Sequence, residues 1–140
     1  MSYKIEQIQD EDFEDIVPRM FSAFGNGYEF VNALYPSHST PAGHKAIASR
    51  FRSMKTAAVN THWIKVVDTV SAQPVGLALW TLIEEAKPPE TALDGPPGTW
   101  PSQIEKEYCQ AMHRSLVADR RKLIRENDLP IISMRTTNAL

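Results

Sequence analysis

Cysteine is nearly absent from this 140-residue chain: Cys109 stands alone, which excludes an internal disulfide framework and suits a reducing compartment. Neither sign of charge dominates. Fifteen Lys and Arg against seventeen Asp and Glu leave a formal net charge of -2, so nothing electrostatic points to nucleic acid or an anionic membrane as partner. No apolar run approaches the ~20 residues of a membrane span. The opening MSYKIEQIQD also lacks the apolar stretch of a signal peptide, so a cytoplasmic protein is expected. Glycine is scarce at six residues, and neither a P-loop nor a dinucleotide fingerprint is among their arrangements. His38 and His44 have no metal-ligand spacing to another histidine, a cysteine or a carboxylate cluster, so no zinc site is expected.

What is present reads as one domain over residues 1–140. Residues 3–9 alternate loosely and predict a short first strand. Asp10 then occupies an N-cap position ahead of Phe13, Ile16, Val17, Met20, Phe21 and Phe24, which recur at helical spacing. Pro18 interrupts that stripe and predicts a kink, because its ring removes a backbone donor. Gly25-Asn26-Gly27 supplies the stop. Thr40 and Pro41 are an N-cap and first-turn pair for a second helix running to about Val59, with Ile47, Phe51, Met54 and Ala58 inward. His62–Asp68 and Val75–Ile83 predict two strands of a hairpin, the second central with both faces covered. Residues 86–101 hold five of the ten prolines and two of the six glycines, and predict a loop. Ser102 and Glu105 have capping-box spacing before a long helix, with Ile104, Tyr108, Met112, Leu116 and Leu123 inward. The basic run at 120–125 (RRKLIR) reads as a solvated face that complements the helix dipole. A last strand is expected over 129–134.

Several residues carry candidate chemistry, each with a plainer reading beside it. Cys109 and His113 are one helical turn apart and form a thiolate–imidazole pair or, more plainly, a packed cysteine beside a surface histidine. Glu84 and Glu85 end the hairpin; a buried Glu84 would serve as a general base, an exposed one as a solvated acid. His62 polarises a substrate or merely opens the strand beside Trp63. Tyr108 is a further proton-transfer candidate. Trp80, Trp63, Tyr28, Phe30, Tyr35 and Phe51 line an apolar pocket or pack the core.

VVDTVSAQPVGLALW at 66–80, PPGTWPSQIEKEYCQAMHRSLVADRRKLI at 96–124 and LPIIS at 129–133 carry a resemblance. The order of elements and these segments resemble the N-terminal half of the GNAT (Gcn5-related N-acetyltransferase) superfamily in its fungal branch, over residues 3 to 133. The resemblance implies an α+β fold, a truncated GNAT-like arrangement with a small mixed or antiparallel sheet flanked by helices. In that family the strand after the long helix leads into a Q/R-x-x-G-x-G/A turn whose amides hold the acetyl-CoA pyrophosphate. Here RTTNAL follows Met134, and no residue corresponds to that loop. No cofactor is therefore expected. The expected function is CoA-independent small-molecule chemistry or binding in fungal biosynthesis, by proton-transfer isomerisation, cyclisation or elimination. The alternatives are an acetyl-CoA-dependent N-acetyltransferase whose site a second chain completes, and a non-catalytic interaction protein. The expected partners are a small-molecule ligand and a second copy, a homodimer formed through the last strand or the long helix, because the strand near 130–135 is left with an open edge.

Overall fold

A computed structural model describes residues 2–138, with side chains described to Arg135. The order is β1 (Tyr3–Gln7), α1 (Phe13–Phe24), α2 (Glu29–Leu34), α3 (Pro41–Ala57), β2 (Thr61–Asp68), β3 (Pro74–Ile83), α4 (Gln103–Glu126) and β4 (Ile131–Asn138). The four strands form one open sheet in the order β1-β2-β3-β4, antiparallel at every pairing. Four helices on such a sheet make this an α+β fold among the described residues.

The core forms where the apolar stripe of α1 meets α3 and β2. Phe13, Ile16, Val17, Met20 and Phe21 are buried, and so are Ile47, Ala48 and Phe51 of α3. Phe13 stands edge-on to Phe51 and to Trp63 of β2, with ring centroids 6.0 and 5.3 Å away. The helix α1 runs unbroken across Pro18. Its N-cap is Asp12, two residues later than the sequence indicates, and Asp10 pairs instead with Lys55 at 2.6 Å. Asp12 in turn accepts from the Lys65 Nζ at 2.7 Å, tying the start of α1 to the sheet. At the other side of α1, the short helix α2 has no counterpart in the sequence reading, since six residues are too few to show a period.

The start of α3 is set as expected, with the Thr40 hydroxyl accepting from the Gly43 N–H at 3.0 Å. Gly43 has a second reason to be there. A Cβ on it would lie 1.8 Å from the Ser37 carbonyl oxygen and 2.6 Å from its carbon, so only glycine admits this approach of loop to helix. Gly43→Ala should destabilise the protein by about 1–3 kcal/mol in urea unfolding, the cost of overpacking against backbone. A midpoint equal to wild type would show that the loop gives way.

Antiparallel pairing places opposed residues on one face. One face carries Trp63, Leu79 and Arg135 as a row, Thr61, Thr81 and Ser133 as the next, and Ile83 with Ile131 beyond. Core helices pack there, through Phe13 and Phe51 on Trp63. The other face carries His62, Trp80 and Met134 in one row and Leu82 with Ile132 in another. Trp80, Met134 and Ile132 are exposed on it. The expectation that β3 is covered on both faces is therefore corrected: it lies inside the sheet but under helices on one face only.

The long helix starts with Ser102 as the expected N-cap, its hydroxyl accepting from the Glu105 N–H and donating to the Glu105 carboxylate at 2.9 Å, in place of the carboxylate-to-backbone bond of a full capping box. Its orientation departs from the sequence reading. Ile104, Tyr108, Leu116 and Leu123 are exposed, the last two at 61 %, while Cys109 and Ile124 are buried. The inward side of α4 is mixed, with half-buried His113, Arg120 and Arg121 beside buried Cys109 and Ile124. The reason is that α4 bridges over the sheet instead of lying flat on it: the Arg120 guanidinium spans the gap and donates to Ser133 Oγ at 2.8 Å. No helix among the described residues is long and apolar enough to cross a membrane.

Candidate functional site

The gap under α4 is a cavity of about 480 Å³. Its floor is the covered sheet face, Trp63, Leu79, Thr81 and Ile83, and one end is closed by Met54 and Ala58 at the end of α3. The roof is the C-terminal half of α4, and the rim is the proline-rich segment after β3. That segment is held to the helix by Lys87 Nζ on the Arg125 carbonyl and Arg121 Nη2 on the Thr91 carbonyl, both at 2.7 Å, and by an ion pair between Arg125 and Glu90. Prolines 88 and 89 keep it out of helix and strand, as the composition indicates.

The charge of the lining is lopsided. Lys87, Arg120, Arg121, Arg125 and Arg135 line the cavity, and Glu90 is the one carboxylate among the lining residues. Among the described residues none of Arg120, Arg121 and Arg135 forms an ion pair. The basic run is thus a solvated face only in part: Lys122 and Arg125 are exposed, whereas Arg120 and Arg121 are half-buried in the cavity wall. Burial, together with Arg135 and Arg121, holds the Arg120 pKa below its ordinary value. Mutual repulsion on this wall is relieved by no acid except Glu90, which Arg125 already occupies.

Two side chains in the same lining have polar atoms without partners. Among the described residues, three buried side-chain nitrogen or oxygen atoms lack a hydrogen bond, and two are Trp63 Nε1 and His113 Nδ1. Buried polar groups of this kind are uncommon in native folds, and each costs desolvation free energy. Burial, then the charges of Arg121 and Arg135, pushes the His113 pKa below 6.5. Burial and the two neighbouring guanidinium groups thus favour the neutral form of the His113 imidazole.

Of the residues singled out from sequence, His113 and Trp63 meet in this cavity. The others are dispersed. Glu84 is exposed beyond the end of β3, and His62 and Trp80 pair on the opposite sheet face. Tyr108 donates to Glu29 Oε2 at 2.8 Å, an interaction that raises its pKa, in a separate depression between α2 and α4. Phe51 is core, Tyr35 packs edge-on to Phe51 and Phe21, Phe30 is half-buried and Tyr28 is exposed. Burial raises the Cys109 pKa, which favours the thiol over the thiolate. Tyr35 and Arg50 also border a smaller, mostly apolar cavity of about 220 Å³ against the 96–99 turn. Among the described residues no group of three or more His, Cys, Asp or Glu is placed to hold a metal ion.

The residues that sequence reading missed are Arg120, Arg121 and Arg135. The signal available for the first two was the odd placement of charge on α4, where the inward face of the helix is the one without leucine. Arg135 had none, since a strand arginine near Met134 shows its face only once the register is known.

Fold and cavity define a small α+β protein with a basic, partly apolar cavity lined by His113. No protein-family model matches the chain, and no curated protein is detectably similar to it.

Proposed function

We propose that the protein binds a small molecule under α4 and moves a proton on it, with His113 as the base. The observation that carries this reading is the pair of unpartnered buried nitrogens, Trp63 Nε1 and His113 Nδ1, on residues lining one cavity. The two are chemically complementary. The imidazole nitrogen accepts a proton, and the indole N–H donates to an oxygen.

The chemistry that suits them is proton abstraction next to a carbonyl. The His113 imidazole takes the proton, the C–H electron pair moves onto the carbonyl oxygen, and a nearby guanidinium stabilises the charge developing there. Return of the proton to the same or a neighbouring carbon completes an exchange or an isomerisation, with no co-reactant. The cationic wall contributes at both ends: it keeps the free imidazole deprotonated and favours the enolate.

The order of strand, helices, hairpin, long helix and strand supports the finer reading of the fold as the front half of a GNAT-like sheet. Fold alone leaves the activity open, and the site argues for proton transfer.

The test is chemical-shift mapping with a fragment library of small carbonyl compounds. Binders should move the Trp63 indole N–H and the His113 ring resonances together. Binders that perturb only the smaller cavity near Tyr35, or none that perturb either residue, would contradict the assignment.

A further inference from the structure

Resting on the reading of this cavity as a small-molecule site, we infer that its occupant is an amphipathic carboxylate, seated with its head against Arg120 and Arg135 and its apolar body on Trp63, Leu79 and Ile83. Five basic side chains and one carboxylate line this cavity in a protein whose formal net charge is -2. Such a concentration of like charge destabilises the empty wall and is relieved by an anion. Arg120 uses Nε on Ser133, and Arg121 uses one terminal nitrogen on Thr91, so each retains further N–H donors. No hydrogen bond of the Arg135 side chain exists among the described residues. A guanidinium fork presents two parallel donors to a carboxylate, and this geometry makes arginine the usual partner of planar anions.

Three features favour a carboxylate over a phosphate ester. Phosphate sites draw on backbone amides at a helix N-terminus or a glycine-rich turn. The roof here is the C-terminal half of α4, where the helix dipole is negative and opposes a dianion more strongly than the single charge of a carboxylate. The rim at Pro88 and Pro89 offers no N–H at either residue. The apolar side of the lining then fixes the rest of the ligand, because Trp63, Leu79, Ile83, Met54 and Ile124 would leave a small, fully hydrated anion without complementary contact.

The experiment is calorimetric titration of the wild-type protein with 3-phenylpropanoate and with its neutral amide. The acid should bind roughly ten- to hundred-fold more tightly than the amide, the range of a charge-assisted hydrogen bond. An Arg120→Gln/Arg135→Gln variant should abolish that preference by weakening the acid far more than the amide, and added salt should weaken the acid alone. Arg135→Gln by itself removes an exposed side chain, and serves where loss of the Arg120–Ser133 bond unfolds the double variant. Equal affinities for acid and amide in the wild type would overturn the anion assignment and leave the small-molecule site standing. Failure of both compounds to bind would overturn the two together.

Discussion

A His113→Gln variant should catalyse deuterium exchange at the carbon acid of a bound ligand about 10²–10⁴-fold more slowly than wild type, the usual range for loss of a positioned base. Glutamine keeps polarity and approximate size but accepts no proton near pH 7, so ligand affinity should change far less than rate. The pH dependence has a definite sign. Burial and then Arg121 and Arg135 hold the His113 pKa below 6.5, so the base is available throughout neutral pH. Exchange should fall only once the solution is acidic enough to protonate it, below that ordinary value. Stability follows the same group. Because the folded pKa is depressed, the contribution of His113 is present above its unfolded pKa and is lost as pH falls through the folded one. His113→Gln should flatten the stability profile in that window. An unchanged exchange rate in the variant would remove His113 from the chemistry.

Phe13→Ala should destabilise the fold by about 3–5 kcal/mol, a large part of the ~5–15 kcal/mol that holds a domain of this kind together. The Phe13 side chain is 0 % exposed and touches the rings of Phe51 and Trp63, so its removal leaves a hole where α1, α3 and β2 converge. The measurement is the urea midpoint with an unchanged m-value. The same variant reaches the cavity, because Trp63 has one flank in the core and lines the cavity floor. A loosened Trp63 should weaken ligand binding even where the variant remains folded. A loss under about 1 kcal/mol would mean that neighbouring chains collapse into the space, against the close packing drawn here.

Local signals in the sequence were legible wherever a short-range rule governs them. The α1 stripe, the Thr40 cap, the Ser102 cap of α4 and the β2–β3 hairpin all follow from local rules, and the structure has each of them. The face of α4 was not legible. Leucine and isoleucine at helical spacing ordinarily mark the inward side, yet here they are exposed, because what lies beneath the helix is a polar-walled cavity and not a packed core. The same inversion hid the site. Arg120 and Arg121 read as solvated because their run suits a helix C-terminus, and nothing within α4 reveals that Ser133, thirteen residues from Arg120, lies beneath it. Gly43 also escaped notice, since the carbonyl that excludes a Cβ belongs to a loop folded back on the helix. His113 and Trp63 were found by residue type alone, and tertiary structure supplied the reason they belong together.

The most direct measurement is an NMR pH titration of the His113 ring protons, with and without saturating 3-phenylpropanoate. Free protein should give a pKa below 6.5, and the bound carboxylate should raise it by offsetting Arg120, Arg121 and Arg135. A value at or above 6.5 in the free protein, or one that saturating ligand leaves unmoved, would contradict a neutral imidazole held in a cationic pocket.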